Sequence, residues 1–118
     1  MISDLYSSGV AYVVSICAAR SSAMAVELGL SASKLEDFIK VIEDKDVAKK
    51  YGISGDEEYS YAIYGASILY ALKALGLLNA NKLSDAIREL LGNTLADRKA
   101  FQFAIWLKRF AEAYIYEL

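Results

Sequence analysis

A stripe of cations beside the only tryptophan carries the residue types in this chain that suggest chemistry. On a helix through the last two dozen residues, Lys99, Gln102, Trp106, Arg109 and Ala113 share one face, with Arg98 and Lys108 flanking it. An indole offers a flat surface on which a base or a partner's side chain stacks, while neighbouring lysine and arginine meet phosphate. The alternative is that Trp106 only widens the core. It borders an apolar seam made by Ala100, Phe103, Ala104, Leu107, Phe110, Ala111, Tyr114 and Leu118.

The charge distribution extends the stripe. Residues 1–72 carry six basic and ten acidic side chains, whereas residues 73–109 carry seven basic against three acidic. The seven are Lys73, Lys82, Arg88, Arg98, Lys99, Lys108 and Arg109; the three are Asp85, Glu89 and Asp97. A local excess of this kind marks a binding face even in a chain of net charge −2. The seven cations and Trp106 are therefore the candidate nucleic-acid-binding residues. The bland reading of the same asymmetry is a solvated helix surface.

Catalytic chemistry finds little support. The chain contains no histidine, which removes the commonest general base, the commonest zinc ligand and every Ser-His or Cys-His pair. A single cysteine, Cys17, excludes an intrachain disulfide and sits on an apolar helix face, so a packed thiol is expected. Glu43, Asp44 and Asp46, like Asp56-Glu57-Glu58, read as helix caps and solvated charge. Gly52-Ile53-Ser54-Gly55 lacks the Gly-Lys-Ser/Thr of a phosphate-cradling loop. A non-enzymatic protein with no cofactor and no metal is expected.

The elements that must position the stripe are helices. The 118 residues include no proline and only seven glycines, and no strand pattern competes. Five helices are predicted. The first runs from Ser3 or Asp4 to Leu28 and stops at Gly29, with a possible break near Ser21-Ser22. The second opens on the capping box Ser33-Lys34-Leu35-Glu36 and reaches Glu43, with a short turn restarting at Asp44 or Asp46 and stopping at Gly52. The third spans Glu57 to Leu75 and stops at Gly76. The fourth spans Asn81 to Leu91 and stops at Gly92. The fifth opens on a second capping box, Thr94-Leu95-Ala96-Asp97. One all-α domain over residues 1–118, a compact bundle of about five helices, is the expected architecture.

Tyr59 to Leu78 is twenty residues with one charge, Lys73, and so is long enough to span a bilayer. Four tyrosines and a central lysine make it a poor membrane span and a good bundle centre, where Ala62, Gly65 and Ala66 allow close approach of neighbours. The first residues carry neither a basic n-region nor a cleavage signal, so a cytoplasmic protein without membrane contact is expected.

The run Trp106-Leu107-Lys108-Arg109-Phe110-Ala111-Glu112-Ala113 resembles the C-terminal helix of the small, all-helical subunit of type III-B CRISPR effector complexes. That helix ends in Trp or Phe followed by a basic residue and then Arg-Phe-Ala-x-Ala. Ala11-Tyr12-Val13 and Gly76-Leu77-Leu78 echo two further stretches of the family. The small subunit of type I-A complexes is a close competitor. The resemblance implies a non-catalytic protein in antiviral defence. Its partners would be other effector subunits, further copies of itself, and guide or target RNA or single-stranded DNA held through the backbone. A rival reading is a self-assembling helical coat or scaffold protein of archaeal viral type, and a third is a helical adaptor that recognises another protein through Trp106.

Overall fold

The computed structural model describes residues 9–34, 37, 38, 40, 44–53 and 55–117, with the side chains of residues 45, 48, 56 and 107–117 outside the described set. Six helices and no strand occur among the described residues. They are α1 (Val10–Arg20), α2 (Ala23–Ser31), α3 (Lys45–Lys50), α4 (Asp56–Ala74), α5 (Leu83–Leu90) and α6 (Thr94–Glu117). The all-α bundle expected from composition is what forms. Its radius of gyration is 13.2 Å, against about 13.5 Å for one compact unit of this length.

The break near residue 21 is real. Ser21 Oγ donates to the Cys17 carbonyl at 2.6 Å, and Ser22 Oγ accepts from the Ala25 N–H at 3.3 Å as the N-cap of α2. Two adjacent serines thus end one helix and start the next. Gly29 is not a stop: α2 continues through it to Ser31. A glycine removes a Cβ as well as favouring termination, and here the missing Cβ is what matters. A methyl group on Gly29 would collide with the carbonyl oxygen of Ala66.

This contact belongs to the most extensive helix pair in the fold, α2 against α4. One turn earlier on α2, Val26 lies against Gly65, where a Cβ would stand 3.1 Å from a Val26 methyl and 2.9 Å from Cys17 Cβ. The small residues expected to admit neighbours do so. Helix α4 also packs on α1 and α6. On one side of it lies the larger core, with Val10, Val13, Val14, Cys17, Ile68, Leu69 and Leu72. On the other side lies a smaller one, with Ala25, Phe38, Ile53, Ala62 and Ala66. That two-sided burial is why its sequence is apolar nearly all round. No helix among the described residues is long and apolar enough to cross a membrane.

Glycine ends α4 as predicted. Gly76 has φ +77°, and the Leu77 N–H reaches the Leu72 carbonyl at 2.9 Å while the Gly76 N–H reaches that of Lys73 at 3.0 Å. This pair satisfies two carbonyls that the helix leaves without partners. Asp44 starts the short α3 by accepting from the Asp46 and Val47 amides at 3.0 and 3.3 Å, the capping role expected of it.

Neither predicted capping box forms as its sequence implies. Before the second predicted helix, the reciprocal bond runs from the Lys34 N–H to Asp37 Oδ2 at 3.1 Å, one residue later than Ser33 and Glu36 would place it. Leu35, Glu36 and the end at Glu43 lie outside the described residues, as does the start at Ser3 or Asp4. At α6 the cap is Asn93, whose Oδ1 accepts from the Ala96 N–H at 3.0 Å. Asn93 precedes Thr94 and caps as well, which shifts the helix start. Asp97 therefore does not reach back to its own cap. Its carboxylate accepts the Val10 N–H at 2.9 Å and caps α1 from across the bundle.

Gly29→Ala costs about 1–3 kcal/mol through overpacking, whereas Gly55→Ala, which meets nothing within 4 Å, costs at most about 1 kcal/mol as a weaker N-cap; urea unfolding followed by circular dichroism reads both. Ser67 is buried on α4, and its Oγ has no hydrogen-bond partner among the described residues. Ser67→Ala should accordingly raise stability by about 1 kcal/mol in the same assay. Burial pushes the Cys17 thiol from the usual 9.0 up to about 12. The unfolded chain ionises first, so this contribution is complete below pH 9 and is lost as pH rises towards 12. Parent protein should lose stability above pH 9 more steeply than Cys17→Ala, and native Cys17 should resist thiol reagents until denaturant is added.

Candidate nucleic-acid interface

The stripe on α6 is held by an alanine row on the opposite face. Ala96, Ala100 and Ala104 are buried, each four residues from the next. Small side chains at this spacing let the α6 backbone lie close against the bundle, where α6 packs on α4 and α1. The expected seam is corrected in part: Ala100 and Ala104 are core, but Phe103 is only half-buried. The seam positions from Leu107 onward have side chains outside the described residues.

Turning away from that row, Leu95, Arg98, Lys99, Gln102 and Trp106 are all exposed. At about 100° per residue these five fall within an arc of roughly 100°, along about 16 Å of helix. Trp106 is 54% exposed, and its indole stacks on Phe103 with ring centroids 5.9 Å apart and planes at 30°. Phe103 in turn packs against the main core. The indole is therefore an anchored aromatic face at the surface, supported from below. The indole is thus exposed and does not serve only to widen the core. Lys108 and Arg109 lie on the same helix, but the positions of their side chains fall outside the described residues.

Helix α5 contributes Lys82 at its N-cap and Arg88 in its last turn, both exposed. Its buried face is Leu83, Ala86 and Leu90. Helices α5 and α6 both pack on α1, which is thus their common support.

Carboxylates in and near this region accept from backbone amides. Glu89 Oε2 accepts from the Asn79 N–H at 2.9 Å, and Asp97 accepts from Val10. From α2, Glu27 Oε2 accepts from the Leu83 N–H at 2.9 Å and caps α5. Two of the three carboxylates that accompany the seven cations are thus bound to main chain, while Asp85 is exposed. None of this was readable in the sequence, because the partners lie far away along the chain.

Lys73 has a different setting. It is half-buried, and its ammonium donates to the carbonyls of Leu30 and Ala80 and to the side-chain oxygen of Asn81. Sequence reasoning also passed over Arg20. Its guanidinium hydrogen-bonds to the Tyr61 hydroxyl at 2.8 Å and lies 5.4 Å from the centre of that ring. A lone arginine at a helix end gives no signal of such a partner. Among the described residues, no three His, Cys, Asp or Glu side chains come together as metal ligands.

The exposed indole, Arg98 and Lys99 lie together on one face of α6. No protein-family model matches the chain, and neither a curated protein nor a solved structure matches it.

Proposed function

We propose that this chain is a non-catalytic small subunit of a CRISPR ribonucleoprotein effector complex, whose α5–α6 surface lines the path of a target strand. The observation that carries the reading is the exposed, Phe103-supported indole of Trp106 in line with Arg98, Lys99 and Gln102. The resemblance of residues 106–113 to the terminal helix of such subunits supports the choice of complex. Base pairing with a guide supplies sequence recognition in these complexes, so a subunit of this kind needs only backbone contacts and stacking. A modest patch suffices where several copies line one groove, since their contacts combine through multivalency. Its partners are then further copies of itself, the larger effector subunits, and RNA or single-stranded DNA, in the cytoplasm.

Single-stranded RNA binding over a salt series tests this. Affinity should fall steeply with salt, and Arg98→Ala, Lys99→Ala or Lys82→Ala should each reduce the logarithmic slope by about 0.7, one phosphate contact on a single strand. Trp106→Ala should cost about 1–3 kcal/mol of binding with the slope unchanged, because stacking releases no counterions. Trp106 is the only tryptophan, so its fluorescence in the parent should be quenched as RNA is added. Absence of binding, or filaments that assemble without nucleic acid, would count for the coat-protein reading instead.

A further inference from the structure

Lys73 was expected among the phosphate-binding cations, but its ammonium is engaged by oxygens of the chain itself. Nζ donates to the Leu30 carbonyl at 2.7 Å, the Ala80 carbonyl at 3.0 Å and Asn81 Oδ1 at 2.7 Å. A lysine ammonium has three N–H donors and no acceptor, so these three bonds saturate it. No donor is left for phosphate.

The three acceptors come from two places. Leu30 lies in the last turn of α2, where carbonyls lack helical partners. Ala80 and Asn81 lie in the connection from α4 to α5, immediately before Lys82. Helix α5 packs on α1 and α2, and two further bonds hold its approach: Glu27 to the Leu83 amide and Glu89 to the Asn79 amide. Charge-assisted bonds of this type are the stronger class, and Lys73 supplies three from a single atom.

We infer that Lys73 is a positioning residue: its ammonium fastens the α4–α5 connection to the end of α2, and so fixes where α5 presents Lys82 and Arg88, without itself meeting the strand. The part concerning the strand rests on the α5–α6 surface binding nucleic acid as proposed above; the fastening does not. The site opens onto a cleft of about 530 Å³ bordered by Ser33, Tyr70, Ala74 and Asn81. A small alkylammonium ion can therefore enter and replace a truncated lysine.

Amide exchange in the free protein decides the fastening. In Lys73→Met the amides of residues 79–83 should exchange about tenfold faster or more, the loss of at least one net hydrogen bond, while those of α1 keep their protection. In Lys73→Ala, added ethylammonium should restore the protection, and tetramethylammonium, which has no N–H, should not. Unchanged exchange at 79–83 in both variants, or equal effects of the two ions, overturns the inference. If Lys73→Met does not fold, Lys73→Gln replaces it. RNA binding decides the second half: Lys73→Met should weaken affinity at every salt concentration with the parent's slope, and a slope reduced as much as by Lys82→Ala would show that Lys73 contacts phosphate. A parent chain that binds no RNA overturns the functional reading, while the exchange result still decides the role of Lys73.

Discussion

The backbone contact between Gly29 on α2 and Ala66 on α4 is the constraint from which the rest of the arrangement follows. With no side chain between them, the two helices approach until further atoms at Gly29 would meet a carbonyl oxygen. A glycine inside a helix costs about 1 kcal/mol relative to alanine. The close approach offsets this through the many short-range contacts it gives the surrounding side chains. It also sets where the end of α2 stands, and three bonds depend on that. The Leu30 carbonyl reaches Lys73, Glu27 reaches the start of α5, and the Ser33 carbonyl accepts from the Tyr70 hydroxyl at 3.5 Å. Were α2 held farther from α4, α5 would lose two of its ties.

Around that contact the polar groups divide their work by sign. Carboxylates serve the main chain: Asp97, Glu27, Glu89, Asp37 and Asp44 each accept from a backbone amide, several at a helix start where a negative charge is favoured. Among the described residues, Lys82, Arg88, Arg98 and Lys99 are exposed, whereas Lys73 is half-buried. Folding itself produces the segregation, since helix N-termini need acceptors and lysine and arginine have none to offer.

How much of this was legible depended on the range of the physics involved. Gly52, Gly76 and Gly92 as stops, the Ser21-Ser22 break, the cap at Asp44 and the central placement of α4 all follow from neighbours within a few residues. Gly29 was misread because termination and close packing use the same missing atom, and only the partner helix distinguishes them. Asp97 was misread in a similar way. Local spacing suggests a capping box, yet Asn93 caps α6 and the amide of Val10, 87 residues away, takes the Asp97 carboxylate. On the candidate site, Arg98, Lys99 and Trp106 fell on one helical face as their spacing required. Lys73 differed, since a lysine inside an apolar run gives no indication of which oxygens will surround it.

The sequence by itself determined that the chain is helical, where most helices end, and that cations gather beside one tryptophan. Each of these depends on local propensity, on capping or on a 3.6-residue period. Only the tertiary structure decided that Phe103 is half-buried and that the indole faces outward on a phenylalanine support. It also decided which charges are held internally. The reason is that burial and hydrogen bonding between distant residues depend on how closely helices approach one another, and that distance is set by pairs such as Gly29 and Ala66, which no single stretch of sequence contains.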